Sequence, residues 1–169
     1  MKNAFFAILI IFAALISCRG DEESVQKMDQ ILHIYIDSAG KDMLNNTIEG
    51  SYQTVVMNDE YGITDTAPVQ FSLKYDKDSL RYIEYVSGAR RIGIDSSDVN
   101  SKIYQSEIEL ILTQKKTNST TTTTSTFSDV LVLNYALKPE VFRIEKAWYN
   151  NILVFTKQDG QPNIIKVTK

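Results

Sequence analysis

The sequence is short of almost every residue type from which catalytic and metal centres are built. Its 169 residues include one cysteine, one histidine, one tryptophan and three prolines. A single thiol excludes an internal disulfide and any multi-cysteine zinc site. The single histidine, His33, has no cysteine or carboxylate at ligand spacing, so it makes no metal site by itself. No G-x-S-x-G elbow nominates a nucleophile for it, and no phosphate loop or dinucleotide fingerprint is present. The chain also lacks a basic block, and its formal net charge of −3 argues against nucleic acid as a partner. No apolar run reaches the roughly 20 residues that a spanning helix needs. These absences point to a protein that is not an enzyme and takes no cofactor. A small carbohydrate-active enzyme stands as the catalytic alternative, because two distant carboxylates can meet in space.

What is present begins with the segment MKNAFFAILIIFAALISC. Lys2 supplies a positive start, and Ala4 to Ile16 form an apolar run of about 13 residues, the proportions of an export signal. The run ends Leu15-Ile16-Ser17-Cys18, which resembles the lipobox of bacterial lipoproteins. That resemblance implies diacylglycerol on the Cys18 thiol and cleavage after residue 17. It also accounts for an unpaired cysteine in an exported chain. Two or more acyl chains make stable anchoring, at about 0.8 kcal/mol per buried CH₂. The expected organisation is a signal peptide over 1–17, a lipidated cysteine and acidic tether over 18–30, and one domain over 31–169. The membrane is then a partner through the anchor. The acidic cluster Asp21-Glu22-Glu23 resembles the surface-export signal of Bacteroidetes lipoproteins. These resemblances imply an outer-membrane address, on its surface-exposed or its periplasm-facing side.

The rest of the chain has strand chemistry: abundant Val, Ile, Thr and Tyr, and short alternating runs between turn residues. Ile31–Asp37 places Leu32, Ile34 and Ile36 on one face and His33 and Tyr35 on the other. Asp37 and Asp42 lie in a Gly40-containing turn, without the full alternating ligand pattern of a calcium loop. Strands are expected at 52–57, 69–75 and 90–94. Residues 79–86 are ambiguous between a capped helical turn and a strand, and 95–102 read as polar loop. Ile108, Leu110 and Leu112 mark the clearest strand. The threonine-rich stretch after Thr117 reads as the end of a long protruding hairpin. Phe142, Ile144 and Trp148 are expected on one face, Asn150-Asn151 as a type I′ turn, and 164–168 as the last strand of a terminal meander. The pattern predicts an all-β fold, an antiparallel β-sandwich of immunoglobulin-like topology, with a partly closed barrel as the alternative.

Two stretches of the chain carry a further likeness. Asp37-Ser38-Ala39-Gly40-Lys41-Asp42-Met43-Leu44-Asn45 and Lys146-Ala147-Trp148-Tyr149-Asn150-Asn151 resemble motifs of small Bacteroidetes lipoproteins of unknown function. There the first motif reads D-x-x-G-x-D-L-L-N and the second W-Y-N-G. Here Met43 and Asn151 replace a leucine and a glycine. The likeness covers the two ends and weakens between about residues 50 and 130. It supports fold and compartment and implies no activity. Asp37-Ser38-Ala39, Asp65-Thr66-Ala67 and Asp78-Ser79-Leu80 resemble the short O-glycosylation motif of that phylum, which implies Ser38, Thr66 and Ser79 as acceptors.

Two functions follow as expectations. One is a non-catalytic binding module for an unknown protein or glycan, with His33, Tyr35, Tyr82 and Tyr85 as contact candidates. The other is a structural subunit of an outer-membrane complex. An exposed aromatic patch on a sheet face favours the first, and a bare edge strand favours assembly by strand addition.

Overall fold

A computed structural model describes residues 26–98, 101–117, 119 and 121–169. The signal segment, Cys18 and the acidic cluster lie outside these residues, as does Asn118 in the threonine-rich stretch. Every regular element among the described residues is a strand. The strands are β1 (Lys27–Asp29), β2 (Leu32–Ser38), β3 (Lys41–Asp42), β4 (Tyr52–Asp59), β5 (Phe71–Tyr75), β6 (Arg81–Tyr85), β7 (Ile92–Asp98), β8 (Ser101–Thr117), β9 (Thr122–Lys138), β10 (Val141–Tyr149), β11 (Ile152–Thr156) and β12 (Asn163–Thr168).

They form two sheets, as the alternating pattern predicts. The large sheet has the order β1-β10-β9-β8-β4, with β11 also on β10 and β7 also on β8. The small sheet has the order β12-β2-β6-β5, with β3 on β2. One of the two curls into a half-barrel. Relative to an immunoglobulin-like antiparallel order, two features differ. Strands β8, β9 and β10 form a consecutive meander within one sheet, and two pairs are parallel, β1 with β10 and β12 with β2.

The core lies between the sheets. The small sheet contributes Leu32, Ile34, Ile36, Ile83, Tyr85, Ile165 and Val167, and the large sheet answers with Met57, Ile108, Leu110, Leu112, Leu131, Leu133, Tyr135 and Ile144. Each fully buried aliphatic side chain contributes about 1.5–3 kcal/mol of transfer free energy. The buried hydroxyls satisfy one another. Ser106 Oγ donates to Tyr135 OH (3.1 Å), Tyr135 OH to Ser87 Oγ (3.3 Å), and Ser87 Oγ to the Gln30 carbonyl (2.7 Å).

Several sequence expectations are corrected. The domain begins before residue 31. Strand β1 lies within the expected tether, where Lys27 N–H donates to the Glu140 carbonyl (2.9 Å). Asp29 is held by Lys157, whose side chain is 3% exposed and lies 2.6 Å from Asp29 Oδ2. Asn163 Nδ2 donates to Asp29 Oδ1 (2.9 Å). Burial works against the Asp29 carboxylate, but bonds from Lys157 and Asn163 outweigh it and hold the carboxyl below its usual range. Strand β12 does not close a meander with β11. Its apolar side chains Ile165 and Val167 belong to the small-sheet core, so it aligns parallel to β2, with Ile165 opposite Ile34.

Residues 81–85 are strand, and the polar stretch 95–102 is mostly strand as well, because β7 runs to Asp98 and β8 starts at Ser101. Trp148 is not on the Phe142 and Ile144 face. A bulge between Ile144 and Lys146 inserts one residue, so Ala147 and Tyr149 turn inward and Trp148 turns out. The Asn150-Asn151 turn is as expected, with φ of 48° and 66° at its two residues. The long hairpin is also present: β8 and β9 pair in unbroken register from Lys102↔Leu137 to Thr117↔Thr122.

Candidate binding surface

The outer face of the small sheet gathers most of the residues singled out by sequence. Alternation along β2 turns Leu32, Ile34 and Ile36 inward and His33 and Tyr35 outward. Strand β6 lies antiparallel to β2 with Glu84 opposite His33, and this register carries Tyr82 to the space beside both outward rings. The His33 and Tyr82 rings are 4.5 Å apart, centroid to centroid, and tilted by 40°. The Tyr82 and Tyr35 rings are 5.3 Å apart and stacked at 29°. These separations are those of favourable aromatic pairs. The result is a three-ring ladder, half-buried, across two strands.

Charged groups rim the ladder. Glu84 Oε2 is 3.5 Å from His33 Nε2, and Glu84 Oε1 is 2.6 Å from Lys74 Nζ. The Lys74 ammonium, with a smaller contribution from His33, holds the Glu84 carboxyl below its usual range. At the other end Tyr35 OH donates to Asp76 Oδ2 (3.2 Å), and Lys166 Nζ is 5.9 Å from the centre of the Tyr35 ring. Burial, reinforced by the Asp76 charge, pushes the Tyr35 hydroxyl up to about 12. Asp76 is itself fixed by a turn in which its Oδ1 accepts the N–H groups of Leu80 and Asp78, each at 2.9 Å. Those bonds, the Leu80 N–H first, keep its carboxyl low.

The ladder runs into a cleft of about 150 Å³ between Tyr35, Leu80, Arg81 and Lys166, with Asp37 and Asp42 in its wall. Asp42 is fully used. Its Oδ1 accepts the Leu44 N–H (3.0 Å) and its Oδ2 the Arg81 N–H (2.8 Å), the Asx-type turn that Gly40 and its neighbours imply. Asp37 Oδ1 and Arg81 Nε, by contrast, are buried without a hydrogen-bond partner. A buried polar atom left unpaired costs about 1–3 kcal/mol, so the wall behind the cleft carries a local cost at these two atoms.

Tyr85 is not part of this surface. It lies three residues from Tyr82 on the same strand and therefore on the opposite face, fully buried. Its hydroxyl accepts the Ala89 N–H (2.9 Å), and burial raises its pKa strongly. The period-2 rule already separates the two tyrosines. The rim residues Lys74, Asp76, Glu84 and Lys166 escaped the sequence reading, because only the cross-strand register brings them to the rings. Of the expected glycan acceptors, Thr66 and Ser79 are exposed, Ser79 in the Asp76 turn beside the cleft. Ser38 is half-buried, and its hydroxyl donates to the Lys169 carbonyl (2.8 Å). Among the described residues no group of three or more His, Cys, Asp or Glu side chains is placed to hold a metal ion.

No protein-family model, no curated protein and no solved structure matches this chain.

Proposed function

We propose that this protein is a lipid-anchored lipoprotein of the bacterial outer membrane, akin to the small Bacteroidetes lipoproteins its motifs resemble, and that its small-sheet face binds a glycan without catalysis. The observation that carries the binding reading is the His33–Tyr82–Tyr35 ladder leading into the cleft beside Leu80, Arg81 and Lys166. Aromatic rings suit the apolar C–H faces of a sugar, and Glu84 and Lys166 on the rim offer hydrogen bonds to its hydroxyls. The anchor reading rests on the lipobox-like Leu15-Ile16-Ser17-Cys18. With β1 starting at Lys27, the chain between Cys18 and the domain is at most about 30 Å long when extended, which holds the face close to the bilayer.

Two experiments test this. The variant Cys18→Ser should leave the membrane fraction, and unchanged fractionation sinks the anchor. On a glycan array Tyr82→Ala should weaken binding about tenfold, equal to roughly 1.4 kcal/mol; no binding to any glycan by the parent protein sinks the ligand. A second reading, a structural subunit of an envelope complex, draws support from the uncovered edge of β9.

A further inference from the structure

The outer part of β9 has an open sheet edge. At Val130 the backbone N–H donates to Asn150 Oδ1 and the carbonyl accepts the Asn150 N–H, both at 2.8 Å. The backbone groups of Val130 therefore point to the β10 side of the strand. Because β8 and β9 pair without a bulge, alternation sends those of Thr122, Thr124, Thr126 and Ser128 the same way. Strand β10 reaches only to Leu131, and among the described residues no strand pairs with this stretch. All side chains from Thr121 to Ser128 are exposed and none is charged. Edges of natural sheets are ordinarily closed by lysine, proline, a bulge or a covering loop. None of these stands within 121–128; the Glu109 carboxylate, on β8 away from the open edge, accepts a hydrogen bond from Ser128 Oγ, and Asp129 is turned inward onto Tyr149, Asn150 and Lys169.

We propose that this edge joins a second copy of the same chain through antiparallel, two-fold β9–β9 pairing centred on Ser125. The open stretch is symmetric about that residue. Thr122 falls opposite Ser128 of the second copy, and Thr124 opposite Thr126. All four carry free edge groups, so the ribbon gains about eight backbone hydrogen bonds. Every cross-strand neighbour is neutral, and β-branched threonines suit such pairs. Thr123 meets Phe127, which is 42% exposed in the single chain. The Asn150 clasp on Val130 ends the edge on one side and the hairpin tip ends it on the other, which sets the register. A two-fold axis makes the contact close on itself as a dimer. The dimer leaves the small-sheet face free and is independent of any ligand there.

The test is sedimentation of the full chain in detergent, alongside Thr126→Pro. Proline at 126 removes only an N–H that faces the open edge, so no β8 bond is lost and circular dichroism should stay that of the parent. The expected result is a dimer that becomes monomeric in Thr126→Pro. In a Cys18→Ser background, Ser125→Cys should form an intermolecular disulfide under mild oxidation. At the axis the two residue-125 positions form a non-hydrogen-bonded pair with Cα atoms about 4.5 Å apart, within disulfide reach. Thr54→Cys, on β4 away from the edge, should not cross-link. A parent chain monomeric at all concentrations, a dimer that survives Thr126→Pro, equal cross-linking of the two cysteine variants, or a monomeric chain whose edge is filled by a strand of another protein would each overturn the proposal.

Discussion

The inner and outer halves of the β8–β9 ribbon share one backbone register and differ in what that register serves. From Lys102 to Leu112 and from Phe127 to Leu137 the ribbon forms the floor of the core, with Ile108, Leu110, Leu131 and Leu133 fully buried against the small sheet. From Thr113 to Thr117 and from Thr122 to Thr126 the same hydrogen-bonded ladder continues with hydroxyl, glutamine and lysine side chains, exposed except at its base, where Gln114 is buried and Thr113 half-buried. Pairing alone therefore does not create a core. The ladder tolerates either composition, because its bonds are backbone to backbone. Burial starts where alternate positions become aliphatic and where a second sheet lies above them.

The junction between the halves is marked by a small charged cluster. Asp129 Oδ2 accepts the Tyr149 hydroxyl (2.7 Å), its Oδ1 accepts Asn150 Nδ2 (2.8 Å), and Lys169 Nζ pairs with Oδ2. The same ammonium lies about 6 Å from the centres of the Tyr52, Phe127 and Tyr149 rings. Burial opposes ionisation of Asp129, but the bonds from Lys169, Asn150 and Tyr149 prevail and hold its carboxyl below the usual range. In turn, burial and that carboxylate raise the Tyr149 hydroxyl.

The contrast is open to direct attack, and the inner half should give way first. Leu133→Ala should cost about 2–5 kcal/mol in denaturant unfolding, the range for a large-to-small change in a packed core. A loss below 1 kcal/mol would mean the inner half is no more structural than the arm. Asp129→Ala should cost about 2–3 kcal/mol, since it leaves a tyrosine hydroxyl and an amide without their charged acceptor. Asp129 has a folded-state pKa below its unfolded value. Its contribution is therefore present above about pH 4 and drains away as pH falls through the folded value. Unfolding curves taken on acidification should converge for Asp129→Ala and the parent, and a constant gap would contradict the assignment. Asn150→Ala should cost about 1–2 kcal/mol by removing the side-chain acceptor at the Val130 N–H and the amide donor to Asp129, at a left-handed position that suits asparagine better than alanine. It should also speed amide exchange at Val130, while exchange at Leu133 stays slow. Thr124→Ala, in the arm, should change the stability of the single chain by less than about 0.5 kcal/mol, a result that a buried or internally packed arm would not give.

Much of this contrast was legible in the sequence. Ile108, Leu110 and Leu112 announced a buried face, and the threonine run announced a projecting one. Both readings rest on the side-chain period of two, a local property. The candidate site was legible only in part. His33 and Tyr35 fell on the outward face of β2, as alternation requires, and Tyr82 joined them, but Tyr85 shares a strand with Tyr82 at odd spacing and went to the core. Trp148 was misplaced because one inserted residue in β10 reverses the alternation after it, and no side chain near Glu145 signals the bulge.

The sequence by itself determined the all-β character, the positions of most strands, the inward faces of β2, β8 and β9, and the two-asparagine turn at Asn150 and Asn151. Each depends on residues within a few positions of one another. Only the tertiary structure decided that β12 runs parallel beside β2, that Lys27–Asp29 belongs to the large sheet, and that Glu84, Lys74 and Lys166 surround the His33–Tyr82–Tyr35 ladder. It likewise decided that β10 ends at Tyr149, opposite Leu131, and leaves the threonine edge of β9 open. Strand partners are chosen by hydrogen bonding and burial between segments far apart in the chain, such as Ile34 and Ile165. A period read along one strand carries no information about which strand will lie beside it.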